Sequence, residues 1–265
     1  MEFSELVCFI KQCYGINLLQ KRSLVYGRLS HYIEQSGFTN FSDYFSYVKS
    51  DYTGKAGVIL VNKLTTNHTY FLREPEHYQF MERVVLPYLA ATEKVKKDLR
   101  VWSAGCSTGE EPYTLAMMID CYFGMEKQQW DAKILATDIS TSALEKAQKA
   151  IYPDQQLLRL PKRWRTQYFH KIDVESSVLK ENIRREVIFR RFNLMNEIFP
   201  FKKKFHVILC RNVMIYFDKK TTGELINRFY EHTEPGGYLF IGHSESVNRD
   251  KSKYQFVAPA VYRKV

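Results

Sequence analysis

No two cysteines of this chain stand at C-x-x-C spacing; the five present, Cys8, Cys13, Cys106, Cys121 and Cys210, are odd in number and scattered. That excludes a zinc knuckle of ordinary spacing, gives no basis for a disulfide framework and fits a reducing compartment. No apolar run approaches the roughly 20 residues of a membrane span. The opening MEFSELVCFIKQ carries an early acid and no long apolar core, so no signal peptide is expected. Neither G-x-G-x-x-G nor G-x-x-x-x-G-K-[ST] occurs, which removes the dinucleotide fingerprint and the P-loop. Repeats, low-complexity tracts, Ser-His-Asp or Cys-His arrangements and metal-ligand spacings are missing too.

What is present supports a folded protein. Of 265 residues 45% are apolar, with 18 Phe and 18 Tyr, enough for a sizeable core. Thirty-nine Lys+Arg against 29 Asp+Glu leave a charge of +10. Such a balance suits an acidic partner, whether nucleic acid, anionic membrane or acidic protein, and does not choose among them.

Residues 1–65 read as helices only. FSELVCFIKQCYG has apolar residues at helical spacing and a stop at Gly15; LLQKRSLVYGRLSHYIEQSG ends near Gly37. FSDYFSYVKSD follows Thr39 and Asn40, either of which can cap it, and GKAGVILVNKLTTN is a fourth helix. Residues 66–97 read as a linker. From residue 98 the rhythm becomes strand, turn, helix: LRVWSAG, AKILATD, VIFRRFNL, FHVILCRN and YLFIGHS are short apolar runs ending in small or polar residues. Such runs alternating with helices imply a parallel sheet buried on both faces, in an α/β domain over 98–265. STSALEKAQKAIY is expected as the helix after the second strand, and YQFVAPAVYRKV as an edge strand or hairpin. The irregular stretch at about 155–192 reads as an insertion of short strands.

The segment VWSAGCSTGEEPYTLAM (101–117) is a strand, a turn through Gly105 and Gly109, and a helix start. In open α/β sheets a ligand settles beyond the carboxyl end of the first strand. Here Glu110 and Glu111 stand where a phosphate would rest. The helix dipole stabilises one carboxylate by about 0.3–1 kcal/mol. A phosphate about 4 Å away would be repelled by about 4 kcal/mol per charge pair at an effective dielectric of 20, so repulsion wins. A ligand with a cationic end and no phosphate reverses the sign, and S-adenosyl-L-methionine is such a ligand. Asp138, ending ILATD, can accept both ribose hydroxyl protons. Thr108-x-x-Glu111 and Ser107-x-x-Glu110 also match a capping box, and Asp138 can cap the next helix, so structural roles for these acids stay open.

Six segments together carry a resemblance: TTNHTYFLRE (65–74), WSAGCSTGEEPYTLAM (102–117), ATDIS (136–140), FNL (192–194), CRNVMIYFD (210–218) and GHSE (242–245). They resemble, in order, the motifs of the CheR family of chemotaxis receptor glutamate methyltransferases. The resemblance implies a Rossmann-like S-adenosyl-L-methionine-dependent methyltransferase domain with a small inserted β-subdomain, preceded by an all-helical N-terminal domain. It further implies O-methyl esters formed on receptor glutamates, S-adenosyl-L-homocysteine as product, and no metal. Asn67, Thr69 and Arg73 would reach the cofactor from the linker. Glu111, Asp138, Asn193, Leu194, Arg211 and Asn212 would line the same pocket. Arg211 stays ambiguous between anchoring cofactor and tying loops together. Asn193 addresses adenine or merely turns the chain; Tyr70 and Phe71 stack on it or belong to the core.

A glutamate with an ordinary pKa near 4.3 is already a carboxylate at neutral pH, so the missing general base is no obstacle. Arg73 and Tyr216 are the expected holders of that carboxylate, Arg by a fork and Tyr by one donor. Lys21, Arg22 and Arg28 on the second helix are expected to dock the acidic methylation helices of the receptor, unless they form a merely solvated face. The insertion, lacking glycine, predicts independence from a receptor C-terminal pentapeptide. A cytoplasmic monomer recruited to receptor arrays, neither membrane-inserted nor bound to nucleic acid, completes the expectation. The rivals are a nucleic-acid methyltransferase, disfavoured because RNVMIY lacks the [DN]-P-P-[YF] pattern, a catalytically dead receptor-binding module, and a nicotinamide oxidoreductase.

Overall fold

The computed structural model describes residues 2–65, 68–248 and 250–265. Residues up to Leu64 build helices α1 (Glu2–Tyr14), α2 (Arg22–Gln35), α3 (Phe41–Ser50) and α4 (Lys55–Leu64). Asn40 caps α3, its side-chain oxygen accepting the Asp43 N–H at 2.9 Å. The second helix starts later than its sequence suggests: Leu18 is buried in the turn before it, and Lys21 is its N-cap. Val25, Leu29 and Ile33, four apart, form its buried stripe. Burying each contributes about 1.5–3 kcal/mol.

The segment read as a linker carries a helix the sequence hid. It runs as α5 (Pro75–Phe80), a π-helical turn (Met81–Val85) and α6 (Leu86–Thr92). Pro87 lacks an N–H and its ring crowds the carbonyl four residues back. The widened turn, in which Leu86 N–H bonds Met81 C=O, lets the helix continue through it.

Next come β1 (Val101–Ala104), α7 (Glu110–Phe123), β2 (Ile134–Asp138) and α8 (Thr141–Lys149). The remaining strands are β3 (Ile151–Pro153), β4 (Phe169–Lys171), β5 (Ser176–Leu179), β6 (Val187–Arg191), β7 (Phe205–Cys210), β8 (Thr233–Ile241), β9 (Gln255–Ala258) and β10 (Val261–Arg263). The main sheet has seven strands in the order β6-β2-β1-β7-β8-β10-β9. All pairings from β6 to β8 are parallel, and the β9–β10 hairpin closes the edge antiparallel. Val101 points into the core on one face and Trp102 into an aromatic cluster on the other, so β1 is covered on both sides.

The insertion is a separate three-stranded antiparallel sheet, β3-β5-β4. It begins earlier than the sequence suggests: Ala150, left-handed at φ 54°, ends α8, so Ile151 and Tyr152 leave the helix and open a strand. It also ends before residue 192, since Val187–Arg191, expected from VIFRRFNL as a parallel strand, pairs with β2 in the main sheet. The β4–β5 turn needs no glycine, since the Asp173 carboxylate accepts the N–H groups of Glu175 and Ser176 at 2.8 and 2.7 Å.

Candidate active site

In this sheet the chain runs outward from β1 through β2 to β6, then crosses to β7 and β8, so strand order reverses between β1 and β7. Ligands of open α/β sheets bind outside the carboxyl ends of the strands at such a point. A cleft of about 1020 Å³, partly open to solvent, lies there. Gly105–Ser107 after β1, Asp138 ending β2, Phe192–Leu194 after β6 and Arg211–Val213 after β7 all line it. The helical domain contributes Tyr14 and Ile16, and the following segment Thr69, Tyr70 and Arg73.

The β1 turn packs tightly against the loop after β7. Gly105 sits at φ 91°, and a Cβ there would collide with Val213 Cγ2. Ser107, left-handed at φ 48°, donates its N–H to Asp138 Oδ2 at 2.8 Å. Asp138 Oδ1 accepts the Ser140 N–H at 2.9 Å. A carboxylate has about four acceptor positions, and the Ile139 N–H also acts on this one, so about one remains for another donor. Burial raises the Asp138 pKa, and these N–H groups oppose the rise. Capping of α8 falls instead to Ser140, whose Oγ accepts the Ala143 N–H.

The two adjacent acids part company. Glu110 is buried, takes the Thr108 hydroxyl at 2.7 Å and does not line the cleft; burial raises its pKa. Glu111 does line it, yet accepts from Ser103 Oγ at 2.7 Å and from Arg211 Nη1 at 3.0 Å. The expectation of two carboxylates facing the ligand is therefore corrected. Arg73 and Arg211 share the cleft with Glu111 and Asp138, so charge alone does not turn phosphates away.

Arg211 ties loops together and also lines the cleft. Its side chain is 2% exposed, and it donates to Glu74, Glu111, the Tyr78 hydroxyl and the Arg73 carbonyl. Burial opposes its charge, but Tyr78, Glu111 and Glu74 more than offset that and raise its pKa. Asn212, left-handed at φ 59°, gives its N–H to Glu245 and its amide to Glu74. Asn193 is likewise committed: Nδ2 donates to the Cys13 carbonyl at 2.8 Å and Oδ1 accepts the Met195 N–H at 3.0 Å. Its amide thus turns the chain and ties it to α1, with one N–H outside these two bonds, and the residue lines the cleft. Leu194 supplies an apolar wall.

Arg73 and Tyr216 both line the cleft. Arg73 Nη1 donates to the His68 carbonyl at 2.6 Å. Tyr216 accepts the Asn17 N–H on its carbonyl at 2.8 Å, joining the helical domain to the cleft wall. Tyr70 lines the cleft, whereas Phe71 is fully buried core. Asn67 lies outside the described residues.

Of the basic residues on α2, Lys21 and Arg22 are exposed, and Arg22 lies over the Phe3 and Tyr26 rings at 5.5 Å. Arg28 is partly diverted: its Nη1 donates to the Leu64 carbonyl at 2.7 Å, at the end of α4.

Sequence reasoning missed Glu74, Tyr78, His77 and Glu245. Glu74, left-handed at φ 58°, accepts from Arg211, Asn212 and the His243 N–H. Burial pushes its carboxyl up, but Arg211 and these donors prevail and hold it below the usual range. His77 is buried, and burial followed by the Arg211 charge holds it down at about 3. Glu74, His77 and His243 bring ligand-type atoms within 4.8 Å of one another, but Glu74 is fully engaged and Arg211 supplies the cation there.

Residues 1–65 match the family described as "CheR methyltransferase, all-alpha domain", and residues 67–262 match "CheR methyltransferase, SAM binding domain". The chain is 42% identical over 269 residues to the chemotaxis protein methyltransferase of Borreliella burgdorferi, covering 99% of this chain and 94% of that one. It is 34% identical over 265 residues to the chemotaxis protein methyltransferase of Escherichia coli, covering 98% and 89%. Asp138 with an acceptor position to spare, the Gly105 turn and the apolar walls fit S-adenosyl-L-methionine. Helical N-terminal domain, parallel-sheet domain and cleft all agree with these matches, and the chain belongs to the CheR family of S-adenosyl-L-methionine-dependent chemotaxis methyltransferases.

Proposed function

We propose that this protein methylates glutamate side chains of transmembrane chemoreceptors, forming γ-methyl esters and releasing S-adenosyl-L-homocysteine. The observation that carries the reading is that Asp138, Arg73 and Tyr216 line one cleft at the reversal of strand order. When bound, S-adenosyl-L-methionine supplies an electrophilic methyl group on its sulfonium. Asp138 would hold the ribose, with Thr69, Glu111, Leu194 and Asn212 enclosing the cofactor. Asn193 and Arg211 would act on it indirectly, by fixing the walls.

Arg73 and Tyr216 would orient the receptor carboxylate. It is ionised at neutral pH and needs no base. Alignment and exclusion of water would supply the rate enhancement, since an over-tight guanidinium clamp would blunt the nucleophile. Lys21 and Arg22 would steer the acidic methylation helices, with Arg28 contributing less. Residues 1–65, 66–97 and 98–265 would serve as docking domain, cofactor-contacting segment and catalytic domain.

We further infer a cytoplasmic monomer recruited to receptor arrays that works without a pentapeptide tether, nucleic acid or metal. Micromolar binding of a receptor tail peptide would contradict the tether statement. The main test is incubation of receptor-bearing membranes with labelled methyl donor, then base. Label released as methanol is expected; base-stable label on receptor or label on RNA overturns the reading.

A further inference from the structure

The turn after β7 has cavities on either hand. Tyr216 and Phe217 line the cleft, while Met214, Ile215 and Phe217 line a second, open groove of about 1780 Å³. The start of the helix Lys219–Glu231 and the loop around Val247 complete the groove. Its apolar surface is recessed, with Ile226 and Val247 buried and Ile215 46% exposed. Lys219, Lys220 and Lys251 line it and are exposed. Of the two acids there, Glu245 has its carboxylate turned inward to the N–H groups of Asn212, Gly242 and Ile215. Glu224 meets Lys220 only at 4.0 Å between exposed side chains, a pair worth little. The groove therefore presents net positive charge around an apolar floor.

Gly223, inside this helix and lining the groove, adds an independent observation. A Cβ built there meets nothing within 4 Å, so no neighbour among the described residues requires glycine. Glycine within a helix costs about 1 kcal/mol relative to alanine. Bare backbone in a groove permits close approach by another backbone.

We propose that this groove seats the acidic helical methylation segment of the receptor, packed against Gly223, so that its target glutamate crosses the Tyr216–Phe217 wall into the cleft. The proposal rests on the receptor reading above. Charge complementarity and the shared wall favour this occupant. A recessed floor suits a protruding helix rather than a flat lipid surface.

The test measures receptor methylation by wild type, by Lys219→Glu/Lys220→Glu/Lys251→Glu and by Gly223→Leu, with S-adenosyl-L-homocysteine affinity of each by calorimetry. The triple variant should raise the receptor KM about tenfold and flatten its salt dependence, with kcat and product affinity within about twofold. Gly223→Leu should raise KM without altering charge, and leucine favours the helix, so folding is protected. Unchanged KM in both variants overturns the proposal. So does a triple variant whose loss matches lost sedimentation with receptor-free phosphatidylcholine–phosphatidylserine vesicles, which would assign the groove to the membrane. Absence of base-labile label with wild type is a different failure, that of the receptor reading itself.

Discussion

Arg211 closes Nε and Nη2 on one oxygen of Glu74, at 3.2 and 3.1 Å, across 137 residues of sequence. The same guanidinium holds Glu111, so one cation fixes both the segment leading into α5 and the first turn of α7. Removing one partner of a buried pair typically costs about 3–5 kcal/mol, because the other charge is left uncompensated. Arg211→Met should lose stability of that order in urea unfolding, and adding Glu74→Gln should recover part of it. A single variant as stable as wild type would show that Arg211 does not clasp these segments.

Asp138→Ala should weaken S-adenosyl-L-homocysteine binding by about 10- to 100-fold, as expected from losing charge-assisted hydrogen bonds of about 1.5–3 kcal/mol. Part of that loss is indirect, since the Ser107 and Ser140 N–H groups lose their acceptor. Calorimetry reads the affinity, and a value equal to wild type would refute the ribose assignment.

His77 makes stability fall with acid. Its pKa drops from 6.5 to about 3 in the folded protein through burial and then Arg211. The unfolded chain therefore binds the extra proton first, between those two values. Its contribution is complete above 6.5 and is lost progressively as pH falls toward 3. His77→Phe, which cannot titrate, should flatten the pH dependence of the urea midpoint over that window. An unaltered slope would mean that His77 does not set it.

Gly105→Ala should impair the cleft directly. The backbone stands at φ 91° and the new methyl meets Val213 Cγ2, so either the turn or the β7 loop must move. Such backbone strain costs about 1–3 kcal/mol. A melting temperature lowered by several degrees and weaker cofactor binding are expected together; wild-type values for both would contradict the close-approach argument.

The basic residues of α2 should separate by role. Lys21 is exposed at the helix N-cap, so Lys21→Glu removes an unfavourable charge from the dipole and leaves stability equal or about 0.3–1 kcal/mol higher. Receptor methylation should nevertheless slow. Arg28→Glu should cost stability as well, because the Leu64 carbonyl loses its donor. Denaturation curves alongside receptor turnover check both; full turnover by Lys21→Glu removes the docking role.

The strands were legible because each buried run stops at small or polar residues, and Asp138 because it ends such a run. Which neighbouring glutamate faces the cleft was named only through the resemblance, as Glu111; the residues alone left both open, although successive helical side chains point about 100° apart. Pro87 concealed the helix through Pro75–Thr92, and Ala150 gave no glycine signal for the break before β3. Glu74 escaped notice because its meaning lies in Arg211, which only the folded chain brings alongside.

Among the described residues, Leu72, Glu74, Ser107 and Asn212 are non-glycine residues with positive φ on the segments bordering the cleft. Such conformations persist only where the surrounding contacts over-determine them. Arrival of the methyl donor should thus leave the surrounding backbone nearly still, and amide exchange in these segments should be slow even in the apo enzyme.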